Sequence, residues 1–110
     1  MKLSETMLNF LGYMHEQEVI GRTTVNDRIC VGLASFLGIR TAVLNGLIEE
    51  ASFNSYRLTD FGRQVGAIGR SMRSDTRPGE KIAREAFVKR GQEVINIASR
   101  SGIPTKDEIR

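Results

Sequence analysis

The side chains that could do acid–base or nucleophilic chemistry are few and scattered. The chain has one histidine, His15, and one cysteine, Cys30. His15 has no cysteine or carboxylate cluster at metal-ligand spacing, so it reads as a packed or partly exposed polar residue. Cys30 falls on the apolar face of an expected helix, where a thiol acts as an inert small hydrophobe. No paired carboxylates form a recognisable acid–base motif. Gly62, Gly66 and Gly69 invite comparison with a phosphate loop, yet neither GxxxxGK[ST] nor a strand-linked GxGxxG accompanies them. Close approach of a neighbouring backbone accounts for them better, each weakening its helix by up to ~1 kcal/mol relative to Ala. These residues point away from an enzyme, and no metal or cofactor is expected.

Arginine is the one chemically distinctive side chain in quantity. Twelve of the sixteen cations are Arg, a rigid fork suited to phosphate or carboxylate. Residues 1–56 carry four basic against six acidic side chains, a net −2, and residues 57–110 carry twelve against seven, a net +5. Codon usage and solvated helix faces explain an Arg excess as readily as an anionic partner does. A length of 110 residues fits one domain, and 40% apolar with 26% charged content is ordinary for a globular chain. A single cysteine excludes an internal disulfide framework and fits a reducing compartment. Polar residues interrupt the N-terminal segment, and no run approaches the ~20 apolar residues of a membrane span. A cytoplasmic protein without membrane contact is expected.

The elements that would position these residues follow from periodicity and caps. Leu3 to Ile20 carries Met7, Leu8, Leu11 and Met14 at helical spacing, and Gly21 is placed to terminate it. With Leu3, Phe10 and Tyr13 off that stripe, the helix should pack on two sides, within the fold or across a dimer interface. Arg22 to Val25 reads as a short strand. Asn26 reads as an N-cap with Asp27 in the first turn, opening a helix that buries Ile29, Cys30, Leu33, Ala34 and Leu37 and ends at Gly38. A second helix is expected from a Thr41 cap, burying Val43, Leu44, Leu47, Ile48 and Ala51 and leaving Ala42, Asn45, Gly46 and Glu49 outside. A hairpin turning on Asn54-Ser55 would then pair Phe53 with Tyr56 and Ala51 with Leu58 on one face. Thr59 and Asp60 open the next helix, with Phe61, Val65, Ile68 and Met72 inward. Arg70 to Gly79 resembles a basic linker, and Pro78 suits the first turn of a last helix. That helix carries Ile82, Ala83, Ala86, Phe87, Val94, Ile95 and Ala98 and stops near Gly102, Ile103 and Pro104, before a frayed tail.

Two stretches resemble a known family. Leu33 to Ile39 (LASFLGI) looks like the turn between the helices of a helix-turn-helix, and Tyr56 to Val65 (YRLTDFGRQV) looks like the wing's end in MarR- and PadR-type regulators. The resemblance to the winged helix-turn-helix superfamily covers about residues 22–66. It implies a mainly α fold with a small β-hairpin, an N-terminal helix and a long C-terminal helix. The expected organisation is a single domain over 1–110, with a core over about 3–72, a last helix over about 78–101 and a frayed tail at 104–110. The resemblance further implies a small dimeric transcriptional regulator that binds double-stranded DNA, a homodimer formed by its first and last helices. Carried onto this chain, Thr41, Ala42 and Asn45 would face bases, and Arg28, Arg40, Arg57 and Arg63 would contact phosphates. The expected second helix carries no cation and ends in Glu49-Glu50. A second reading therefore stands beside the first: a winged-helix module that binds protein, as an adaptor or sequestering regulator.

Overall fold

The computed structural model describes residues 1–75 and 80–100, with side chains described outside 80–82. Its elements are α1 (Glu5–Val19), β1 (Val25–Asn26), α2 (Asp27–Leu44), β2 (Ile48–Ser52), β3 (Ser55–Leu58), α3 (Asp60–Ser74) and α4 (Glu80–Arg100). The fold is mainly helical, with a small antiparallel sheet in the order β1-β3-β2. The expected helix start at Pro78, the stop at Gly102–Pro104 and the tail lie outside the described residues.

Capping chemistry explains most boundaries. Ser4 Oγ accepts the Met7 N–H at the start of α1, and Asn26 Oδ1 accepts the Arg28 N–H at the start of α2. At the end of α1, Gly21 adopts φ 93. Its N–H donates to the Glu18 carbonyl and that of Arg22 to Gln17, a Schellman closure. Met7, Leu8, Phe10, Leu11 and Met14 are all buried within the chain.

The two helices of α2 are divided differently from the expected pattern. Non-helical backbone falls at Ser35 (φ 65, ψ 169), which separates residues 27–34 from 36–44. Ser35 Oγ accepts the Gly38 N–H at 3.3 Å, so Ser35 and not Thr41 caps the second arm, and Gly38 lies inside it. That arm also ends early, at Leu44. The Gly46 N–H donates to the Val43 carbonyl and the Leu47 N–H to Ala42, closing a second Schellman turn with Gly46 at φ 72. Leu47 and Ile48 are buried as expected, but from a turn and a strand.

The hairpin register changes accordingly. Ile48 pairs with Leu58, Glu49 with Arg57, Glu50 with Tyr56 and Ser52 with Ser55, with a bulge at Ala51. This register buries Ile48 against Leu58, which the expected Ala51–Leu58 pairing would not have done. Phe53 and Asn54 form the tip, and the Asn54 carbonyl accepts the Asp27 N–H at 2.8 Å, tying the tip to the start of α2.

The most extensive helix contact joins α1 and α3, and glycine makes it possible. A Cβ at Gly69 would lie 2.2 Å from the Leu8 carbonyl oxygen, and one at Gly12 would lie 2.4 Å from the Gly69 carbonyl carbon. The expected packing role for Gly62, Gly66 and Gly69 is thus what the backbone displays. Thr59 Oγ1 accepts the Gly62 N–H at 2.9 Å and donates toward the Gly46 and Leu47 carbonyls, anchoring α3 beneath the second Schellman turn. From α4, Gln92 accepts the Leu3 N–H at 2.6 Å and donates to the Met1 carbonyl at 2.9 Å.

Candidate interaction surface

Residues 36–44 form the arm that stands in place of the second helix expected from Thr41, and its face is set by which residues turn inward. Ile39 and Ala42 are buried, at 5% and 0% exposure. Phe36, Leu37 and Leu44 point away from the core, with Phe36 and Leu37 each 75% exposed and Leu44 48%. Arg40 is exposed and Thr41 half-buried on the same arc. At 3.6 residues per turn, positions 36, 37, 40, 41 and 44 form one continuous outer stripe. Ile29, also exposed, lies on the preceding arm, and Phe53, 93% exposed, sits at the hairpin tip bound to Asp27.

The structure distributes the expected DNA-contacting residues unevenly. Arg28 and Arg40 are exposed and make no ion pair among the described residues. Ala42 faces the core, not the outside. The expected phase had Leu47 and Ile48 continuing the helix and turning Ala42 outward, but the Asn45-Gly46 stop removes them from it. Asn45 is the C-cap, and its Nδ2 donates to the Thr41 carbonyl at 2.8 Å, which engages the amide that base reading would need.

Arg57 and Arg63 are occupied as well. Arg57 Nε lies 2.8 Å from Glu49 Oε1 across the hairpin. Arg63 reaches away from the hairpin to α1, where Nε and Nη2 meet the two Glu18 carboxylate oxygens at 2.6 and 3.1 Å. Its Nη1 meets Asp60 at 2.6 Å. These hydrogen bonds, Glu18's first, raise the guanidinium's pKa further above its ordinary value. Arg73 is held likewise by Glu16 at 2.6 Å and Asn9 at 2.9 Å, above the Tyr13 ring. The contacts with Glu18, Glu16 and Asn9 join residues 45 to 64 positions apart, too distant for any local charge pattern to signal.

An open groove of about 800 Å³ runs beside Tyr13, Val19, Ile20, Arg70, Ser74 and Phe87. Among the described residues, no cluster of three His, Cys, Asp or Glu side chains could hold a metal ion. No helix among them is long and apolar enough to cross a membrane. Comparison with known proteins finds no matching family model, no matching curated protein and no matching solved structure.

Proposed function

We propose that this chain is a winged helix-turn-helix interaction module that docks on protein rather than on duplex DNA. In this reading, residues 36–44 are the presented helix and β2–β3 is a short wing. The element order and the β1-β3-β2 strand order support the fold reading. The observation that carries the functional one is the exposure of Phe36 and Leu37 on the presented arc. Burying such a side chain in a partner contributes roughly 1.5–3 kcal/mol when complete, whereas a phosphate backbone offers it little apolar surface.

The charge count agrees. Duplex affinity rests on neutralising phosphates, and Arg57 and Arg63 already face carboxylates. Of the four arginines expected to contact phosphates, Arg28 and Arg40 remain, enough for about two contacts and a contribution near −2 to the salt slope. A dimer that doubled this number would have to be built on little apolar surface. The stripe of α1 is consumed inside the chain; among the described residues, Val19 of α1, Ile20 at its C-cap and Ile97 of α4 are the large apolar side chains left exposed there.

Anisotropy of a labelled random duplex, titrated with the full chain at about 50 mM salt, tests the choice. The expected result is no saturable binding. Tight binding that weakens in both Arg28→Ala and Arg40→Ala would replace the protein-docking reading with the DNA-binding one.

A further inference from the structure

We infer that the partner of the 36–44 face is an amphipathic helix of another protein, carrying a carboxylate in the middle of its apolar stripe. The inference rests on the protein-docking reading above and adds the partner's chemistry. Its basis is the order of side chains along the arc. Phe36 and Leu37 stand at one end, Leu44 at the other, and Arg40 between them, one turn from each. The stripe is about 12 Å long at 1.5 Å per residue, the length of two helical turns. Ridges four residues apart, as at 36, 40 and 44, are the surface on which a second helix packs.

Arg40 decides the charge. It is exposed and has no ion-pair partner among the described residues. Covering Phe36 and Leu44 with any helix also covers the guanidinium between them, so the covering surface must supply an acceptor. A carboxylate does this with two parallel hydrogen bonds. Arg28, likewise exposed and unpaired, adds a second cation on the preceding arm.

The same position argues against a second copy of this chain. A two-fold contact centred on the stripe would place Arg40 against its symmetry mate, two like charges at the middle of a desolvated patch. A contact centred elsewhere on the stripe would leave one end of the apolar surface uncovered.

The test is selection of a displayed library of helical 16-residue peptides against the immobilised full chain. Enriched peptides should carry Asp or Glu inside an apolar stripe. Their synthetic versions should bind at least about tenfold more weakly to Phe36→Ser and to Arg40→Glu, the loss expected of central contacts. Replacing the peptide's acid by Lys should restore binding to Arg40→Glu. Both positions are exposed, so unchanged thermal melting is expected and separates lost contact from lost fold. Failure to enrich any peptide, or enrichment without an acid bias, overturns the inference, as does equal binding to Phe36→Ser. Saturable duplex binding would instead overturn the protein-docking reading beneath it.

Discussion

Cys30 lies fully buried, its Sγ–H directed to the Val25 carbonyl at 3.8 Å. Burial, reinforced by Asp27, pushes its thiol up to about 11. Only the thiolate is a nucleophile, so a disulfide reagent at pH 8 should leave the native chain unmodified and react fully once denaturant unfolds it. Rapid native modification would show that the start of α2 opens readily. His15 makes a different prediction. Its Nδ1 is buried without a hydrogen-bond partner among the described residues. Its pKa is lowered from 6.5, first by burial and then by Arg70 and Arg63, with Glu18 opposing. The folded state thus binds the proton less well than the unfolded chain. The neutral ring's contribution is fully present above about pH 6.5 and is lost as pH falls through the folded value. Urea melts at pH 7.5 and 5.5 should show a larger loss for the wild type than for His15→Gln, and equal losses would remove His15 from the account.

Among the elements, the α1–α3 crossing carries a strict requirement. A Cβ at Gly69 would meet the Leu8 carbonyl oxygen at 2.2 Å, and that atom belongs to backbone that cannot step aside. Gly32, also helical, has nothing within 4 Å of its Cβ position. Gly69→Ala should therefore destabilise the fold by at least about 1–3 kcal/mol. Gly32→Ala should stabilise it by about 0.5–1 kcal/mol through propensity alone. Denaturant midpoints of the two variants check this opposition, and shifts of the same sign would mean the helices are not in backbone contact. The glycine spacing made a close backbone approach legible, though not that α1 supplies it, and the Asn26 and Thr59 caps and the stripe of α1 were legible too. The division of α2 was not legible. Gly38 looked like the terminator, yet the chain turns three residues earlier at Ser35, a non-glycine in left-handed φ that no local propensity favours. The stop at Asn45-Gly46 was written in the sequence as a C-cap signal. It was masked because Leu47 and Ile48 also fit a continuing apolar stripe. That misplacement moved the hairpin register and turned Ala42 outward on paper, while the unseen break at Ser35 placed Leu37 on the buried face.

Across the described residues, part of the charge asymmetry between the two halves is met internally. Arg57, Arg63, Arg73 and Arg84 of the second half pair with Glu49, Glu18, Glu16 and Glu5 of the first. Exposed pairs of this kind contribute little individually, ~0–1 kcal/mol each, but they spend the cations that seemed available to an anionic partner. Side-chain composition could not reveal this, because it depends on α3 and α4 lying against α1. Among the described residues, the face with Phe36, Leu37 and Leu44 around Arg40 remains open to a partner. The amide NMR spectrum of the labelled full chain, titrated with a random 20-base-pair duplex at about 50 mM salt, tests that claim residue by residue. Protein docking at this face predicts no saturable shifts over residues 36–45. Saturable shifts on Arg40, Thr41 and Asn45 together with Arg57 would contradict it and identify the arc as a DNA-reading surface.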